Sequence, residues 1–140
     1  MRSRLPLAAE VVPPLTIIGQ ARTGTTILHD LLAQDPAARV PLTWEVERPC
    51  PPPETATYET DPRIAAVDAR IAAVGVGMPE LLGMHPMGAR LGQECVCITT
   101  SDFHSILFAT QYRVPSYARW LFNEADHRPV GCCAIQPLPD

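Results

Sequence analysis

The feature that most constrains the fold is the stretch from Leu15 to Leu32, which reads L-T-I-I-G-Q-A-R-T-G-T-T-I-L-H-D-L-L. Its beginning, Leu15 to Gly19, is apolar and β-branched without alternation, as in a strand buried on both faces of a parallel sheet. A glycine turn follows, and apolar residues then return at helical spacing in a helix predicted from Thr25 to near Gln34. Strand, turn and helix start form a cradle for phosphate, because the amides and dipole of a helix N-terminus attract an anion.

The loop indicates which phosphate group it binds. Gly19 and Gly24 have the G-x-x-x-x-G spacing of a nucleoside triphosphate loop, which would place a lysine directly after the second glycine. Thr25 occupies that position, and the cation of the turn is Arg22. The sequence also offers no convincing acidic strand end for magnesium. A donor with one activated 5′ group therefore fits the loop better than ATP or GTP does.

The loop is followed by further motifs in a fixed order. Residues 22–26 read R-T-G-T-T, and V-P-L-T-W-E-V, H-P-M-G-A, Q-E-C and V-P-S-Y-A-R-W-L come after them. This set resembles the sulfotransferase family, most closely its bacterial and tyrosylprotein-type branches, over roughly residues 14–120. The resemblance implies an α/β fold, a P-loop-type parallel sheet flanked by helices. It also implies sulfuryl transfer from 3′-phosphoadenosine 5′-phosphosulfate (PAPS) to a hydroxyl acceptor on a small molecule, glycan or lipid.

The loop residues are the candidates for binding the donor. Arg22 is a cation that can fork onto phosphosulfate oxygens and neutralise charge on the departing phosphate, which makes it a catalytic candidate as well. The hydroxyls of Thr23, Thr25 and Thr26 and the amides from Gly24 onward would surround the same anion. The alternative is that Thr25 is only a helix N-cap and Arg22 only a surface charge.

Glu45 is the first candidate for the general base. It follows Trp44 at a predicted strand end facing the same crevice, and the resemblance places a catalytic glutamate in this region. The indole would exclude water from the carboxylate, as a base working near neutral pH requires. The alternative is a solvated loop glutamate that pairs with Arg39 or Arg48.

His85 is the second candidate. Its distance from the loop is similar to that of the catalytic histidine in cytosolic sulfotransferases, although the flanking H-P-M-G sequence differs; a turn histidine before a proline is the alternative. Glu94, in Q-E-C, is predicted to be a buried, paired carboxylate with a structural or acceptor-orienting role.

Other segments give local structure. A helix is predicted to open at Asp61-Pro62 and to be ended by Gly75 and Gly77, with an apolar face formed by Ile64, Val67, Ile71 and Val74. Further helices are predicted over residues 79–83 and 115–124. We expect a short strand or extended turn over residues 40–46 and a surface loop over residues 48–54, while residues 94–112 are compatible with strand and with helix.

Composition narrows the class of protein. A chain of 140 residues with 46% hydrophobic content suits one globular domain. A net charge of −4 without a basic run argues against nucleic-acid binding. The five cysteines lack metal-ligand spacing, so we expect free thiols and no metal. No apolar stretch approaches the ~20 residues of a membrane span, so we expect a cytoplasmic protein.

The family pattern is incomplete. The Arg and Ser that grip the 3′-phosphate of the donor in sulfotransferases have no match after Trp120. We therefore expect one partial domain over residues 1–140, with a divergent tail over residues 121–140 and little or no activity alone. The rival interpretations are a P-loop nucleotide-binding protein, such as a kinase or NTP hydrolase, and a non-catalytic remnant.

Overall fold

Helices are the regular elements of the structure, a computed structural model that describes residues 14–20 and 22–127. The α-helices are α1 (Thr25–Leu32), α2 (Thr43–Glu47), α3 (Pro62–Gly77), α4 (Pro79–Met84), α5 (Cys95–Ile98), α6 (Ile106–Gln111) and α7 (Pro115–Asn123). Short 3₁₀ helices span Thr55–Thr60 and Thr99–Asp102.

The core lies between α2 and α3. Helix α3 begins at Pro62 as predicted, because the Asp61 carboxylate accepts a hydrogen bond from the Arg63 amide (2.9 Å) and proline is favoured in a first turn. Three residues of the apolar face predicted for this helix, Ile64, Val67 and Ile71, are buried, and Val74 is half-buried. The core cluster is formed by Trp44, Ile64, Val67, Ile71 and Ala89.

Most of the other predicted helices are present. Helix α1 begins at Thr25 as expected and ends a little short of Gln34. Helices α4 and α7 begin at the predicted residues and end within one residue of the predicted ends, and each has proline in its first turn. Residues 48–54 form the expected loop, which is largely exposed. The segment left open between strand and helix, residues 94–112, is helical as α5 and α6 with a 3₁₀ turn between them.

The segment Leu15–Gly19 does not form the predicted strand. It has no regular secondary structure, and its backbone forms no hydrogen bond with the described residues. The side chains of Leu15 and Ile18 are 80% and 91% exposed, so the prediction that both faces are buried is wrong for this structure. A parallel strand needs neighbouring strands for its hydrogen bonds and helices for its faces. The described residues provide no neighbouring strand for this segment and leave Leu15 and Ile18 uncovered, so the parallel sheet of the predicted α/β fold stays a prediction.

Residues 40–46 also differ from expectation. The sequence predicts a strand or extended turn, whereas Thr43–Glu47 is helix α2 and only Leu42 forms an isolated antiparallel bridge, with Gly92. The helix is closed locally, because the Glu45 carboxylate reaches back to the Leu42 amide (2.9 Å) as in a capping box. Strand propensity was misleading here, since the preference of β-branched and aromatic residues for strands depends on what they pack against.

Candidate functional site

The turn before α1 is tightly folded. A Cβ atom on Gly19 would lie 2.7 Å from Thr25 Cγ2 and 3.0 Å from Thr23 Oγ1, so the loop closes directly against this glycine. The Thr23 hydroxyl donates a hydrogen bond to the Gln20 carbonyl (2.7 Å). Gly24 has a φ of 90°, in the left-handed region that glycine favours. The backbone therefore explains both glycines of the predicted loop.

The N-terminus of α1 has no side-chain cap. Gly24 occupies the N-cap position, so the alternative that assigned Thr25 to this position is wrong. The Leu28 amide donates to the Gly24 carbonyl (3.0 Å), and the preceding amides of the first turn have no partner inside the helix. Unpaired amides and the positive end of the helix dipole suit an anion at this point.

Arg22 lies exposed in the same turn, with a φ of 67°. Its guanidinium forms no ion pair with residues 14–20 or 23–127. Four other arginines are already paired with carboxylates, namely Arg39, Arg63, Arg70 and Arg90. Arg22 is therefore available to an external anion.

A cleft with a volume of about 860 Å³ opens beside α1. Thr25 and Thr26 line it together with His85, while residues 22–24 lie outside its lining. A cleft of this size is large enough for a small-molecule ligand. The structure thus brings the second half of the predicted donor loop and the second candidate base to one cavity.

Glu45 lies in a separate buried cluster and does not line the cleft. Its side chain is 2% exposed and accepts hydrogen bonds from Arg39 Nη2 (2.5 Å) and from the Leu42 amide (2.9 Å). The Tyr58 hydroxyl is a further hydrogen-bond partner of the same carboxylate. The predicted pairing with Arg39 is present, but the carboxylate is buried rather than solvated.

Tyr58 was missed by the sequence reasoning. Burial, the negative charge of Glu45 and the hydrogen bond to Glu45 together raise the pKa of Tyr58 to about 12. Its ring packs on Trp44 with a centroid distance of 5.3 Å. Residues 48–57 separate Tyr58 from α2 in sequence, and residue spacing does not predict a contact made across a loop.

The guanidinium of Arg63 packs over the indole ring of Trp44. Its guanidinium carbon lies 4.7 Å from the centroid of the indole ring. It pairs with Asp61 (2.6 Å), and hydrogen bonds from the guanidinium hold the pKa of this carboxyl below its usual range. Nη1 also donates to the carbonyl oxygens of Arg48 and Pro51, at 2.7 Å each. The proline-rich loop is therefore fixed to α3 by one side chain.

Comparisons with known proteins decide the family. A model described as "Sulfotransferase family" matches residues 13–136. The chain belongs to the sulfotransferase family. This confirms the resemblance predicted from the loop and the motifs that follow it.

Two solved structures are similar to this sulfotransferase-family chain. Sulfotransferase STF9 from Mycobacterium avium is 36% identical, with a TM-score of 0.72, and the match covers 87% of this chain and 32% of that chain. Sulfotransferase STF1 from Mycobacterium tuberculosis is 36% identical, with a TM-score of 0.66 and coverage of 81% and 31%. The chain therefore spans about a third of the length of these structures. No curated protein matches it significantly.

Glu94 differs from its prediction in this sulfotransferase-family chain. Its side chain is exposed at the N-terminus of α5 and lines the cleft, and it forms no ion pair with the described residues. The expectation of a buried, paired carboxylate is wrong, because Glu94 is the exposed N-cap residue of the short helix α5.

Metal ligands and membrane spans were sought over the same part of the chain. Residues 14–20 and 22–127 contain no group of three or more His, Cys, Asp or Glu side chains that could hold a metal ion. None of the described helices is long and apolar enough to cross a membrane. Cys50, Cys95 and Cys97 are free thiols, whereas Cys132 and Cys133 lie outside the described residues.

Proposed function

We propose that this protein binds PAPS at the turn between Gly19 and Thr26 and acts in sulfuryl transfer to a hydroxyl acceptor. Family membership supports the type of reaction. The observation that carries the donor site is the turn itself, which ends in the uncapped N-terminus of α1 beside Arg22, an arginine that forms no ion pair with the described residues. A lysine-free loop of this shape favours a phosphosulfate over a triphosphate.

Each loop residue has a defined task in this proposal. The guanidinium of Arg22 forks onto phosphosulfate oxygens and stabilises the charge that develops on the bridging oxygen as the S–O bond breaks. The amides from Gly24 to Thr26 and the hydroxyls of Thr23, Thr25 and Thr26 hold the same anion in line with the acceptor. The acceptor oxygen forms the new S–O bond, and PAP (adenosine 3′,5′-bisphosphate) leaves.

The base that takes the acceptor proton is proposed to be Glu45, with His85 as the second candidate. Glu45 accepts hydrogen bonds from three donors and its side chain is 2% exposed, so an acceptor hydroxyl can reach it only after a neighbouring side chain moves aside. His85 needs no such exchange, because it already lines the cleft that contains Thr25 and Thr26. The shared cleft is the observation that supports His85 as the second candidate base.

The acceptor is proposed to bind in the same cleft. Its lining combines apolar groups with a few polar ones, which suits a hydroxyl on a small molecule, glycan or lipid. A cytoplasmic location fits this role and remains part of the proposal.

Donor binding is tested without turnover. A ligand that binds the folded state raises its melting temperature, so PAP is expected to stabilise the wild-type chain and Mg-ATP at equal concentration is expected to have little effect. Arg22→Ala should weaken PAP binding about 10-fold or more, since it removes a charge-assisted pair. Arg119→Ala, which removes an exposed guanidinium on α7, is the matched control and should leave binding unchanged.

The outcomes separate the rival functions. Stabilisation by Mg-ATP and not by PAP would identify a nucleoside triphosphate site. Stabilisation by neither ligand would leave a non-catalytic remnant. Equal losses from Arg22→Ala and Arg119→Ala would show that the guanidinium in the turn has no special role.

The base is tested by transfer of labelled sulfate from PAPS to a panel of alcohols. Glu45→Gln should abolish transfer if the carboxylate takes the proton, whereas His85→Asn should then retain most of it. The reverse result would assign the base to His85. Both variants are first compared with wild type for PAP binding, so that loss of the base is distinguished from loss of the donor site.

A further inference from the structure

His29 lies on the side of α1 that faces the cleft. Within the helix, the partly buried positions are Thr25 and His29, one turn apart, and both line the cleft. Four residues of α-helix rise about 6 Å along the axis. Because side chains of a helix tilt toward its N-terminus, the His29 ring is directed back toward the turn that begins with Thr25. After Thr26, His29 is the first residue of α1 that lines the cleft.

The imidazole of His29 is placed by packing and has no hydrogen-bond partner in the part of the chain that the structure describes. A Cβ atom on Gly92 would lie 2.7 Å from His29 Cε1 and 3.3 Å from Nδ1, so the ring fills the space in front of this glycine. A side chain at position 92 would displace the ring. His104 differs, because its Nδ1 lies at hydrogen-bonding distance from the Asp102 carbonyl oxygen (2.7 Å). The nitrogens of His29 are therefore available to a ligand in the cleft.

The charged side chains of the cleft are poorer partners for an anion. Asp30 and Glu94 line it, but an ionised carboxylate only accepts hydrogen bonds. Arg90 is already bound to Glu59, since its Nη2 donates to the Glu59 carbonyl oxygen (2.6 Å) and its Nε lies 3.6 Å from the carboxylate. An imidazole carries one N–H when neutral and two when protonated, so His29 can donate a hydrogen bond in either state.

We propose that His29 is a further catalytic residue, which donates a hydrogen bond to the sulfuryl group of the donor. The inference rests on the proposed function, in which the turn holds PAPS and the cleft holds the acceptor. Transfer then takes place where turn and cleft meet, at Thr25 and Thr26, one helical turn from His29. A donor fixed at this point stabilises charge on the sulfuryl oxygens without reorganising during transfer. The imidazole keeps its proton, so Glu45 and His85 remain the candidates for the base.

The test compares the affinities for PAPS and PAP, measured by calorimetry on the full 140-residue chain without acceptor. PAP lacks the sulfuryl group, so a residue that contacts only this group affects the binding of PAPS alone. His29→Ala should weaken PAPS binding about 10-fold, because a hydrogen bond to a charged group is lost, and should leave PAP binding unchanged. His29→Gln retains an N–H donor and should recover part of the affinity for PAPS.

Leu31→Ala is the matched control. Leu31 belongs to the same helix, is exposed and lies outside the lining of the cleft, so its truncation should leave both affinities unchanged. A histidine that only packs against Gly92 has no means of distinguishing PAPS from PAP. The ratio of the two affinities therefore separates a contact with the sulfuryl group from a structural role.

Three results overturn the proposal. His29→Ala could weaken PAPS and PAP equally, it could weaken neither, or Leu31→Ala could cause the same selective loss. Absence of PAP binding in the wild-type chain would instead overturn the proposed donor site, and this inference with it. Failure of the His29 contact alone is therefore distinguishable from failure of the proposed function.

Discussion

The α2–α3 region and the loop–α1 region differ in how far their apolar side chains are buried. In the first, the apolar face of α3 packs on Trp44, and the buried Glu45 carboxylate has hydrogen-bond partners from the same neighbourhood. In the second, α1 contains no buried residue and its apolar side chains face outward. The contrast shows that residues 40–90 pack against one another, whereas the apolar side chains of residues 14–32 are left largely uncovered by the part of the chain that the structure describes.

The largest expected effect is at the centre of the self-sufficient region. Trp44→Ala should lower the free energy of unfolding by about 4 kcal/mol, because it leaves a large cavity under α3. Trp44 is fully buried, and its Nε1 has no hydrogen-bond partner among the described residues, so the loss is one of packing. Urea unfolding followed by circular dichroism measures it. A loss below about 1 kcal/mol, within the range of surface substitutions, would contradict the assigned core.

The next effect compares two glutamates of α2. Glu45→Gln should cost about 2 kcal/mol, since it leaves the partly buried Arg39 and the Tyr58 hydroxyl without their charged partner. Glu47→Gln removes the more exposed pair with Arg70 and should cost less than about 0.5 kcal/mol. Urea midpoints measured at pH 7 report both. Equal costs would show that burial of Glu45 contributes nothing to stability.

A smaller effect depends on alkaline pH. The pKa of Tyr58 is about 12 in the folded chain against an ordinary value of 10, so the folded state retains this proton after the unfolded state has lost it. The contribution of Tyr58 to the free energy of unfolding is therefore fully present below pH 10 and is lost as the pH rises from 10 to 12. Because the ring is only half-buried, we expect a loss of about 1 kcal/mol after screening.

Tyr58→Phe isolates that contribution. The variant should lose less stability than wild type between pH 10 and 12, and the ionisation near pH 12 should disappear from the absorbance at 295 nm. All eleven basic residues are arginines, so no lysine titrates in this window. Tyr117→Phe is the control and should retain the steep alkaline loss. An unchanged slope in Tyr58→Phe would contradict the contact with Glu45.

The smallest effect is on the exposed apolar side of α1. Leu31→Ala should change the free energy of unfolding of the isolated chain by less than about 0.5 kcal/mol, because Leu31 covers nothing there. Ile71→Ala, a matched truncation on the buried face of α3, should cost about 2 kcal/mol or more. Similar costs for the two variants would remove the distinction between the two regions.

The elements that could be predicted from the sequence are those that depend on adjacent residues. Asp61-Pro62 marks the start of α3, and the periodic apolar residues after it identify the buried face. The two glycines of the turn were predicted for the same reason, since the geometry of a loop depends on its own residues.

The features that the sequence did not predict are those that depend on residues distant along the chain. The apolar run at Leu15–Gly19 indicates a strand, but pairing partners decide whether a strand forms, and its own sequence does not contain them. The contact between Tyr58 and Glu45 crosses a loop of unknown path, so neither residue predicts the other. The helix at Thr43–Glu47 was missed because strand propensity was read without knowing what packs against Trp44.

The multiple contacts of Arg63 have a consequence for engineering of the proline-rich loop. This side chain binds the carbonyls of Arg48 and Pro51 and covers the indole of Trp44, so the first half of the loop is coupled to the interior. The stretch after Pro51 has no such anchor to Arg63. Insertions belong there, where a longer chain would not disturb the contact between Arg63 and the tryptophan beneath.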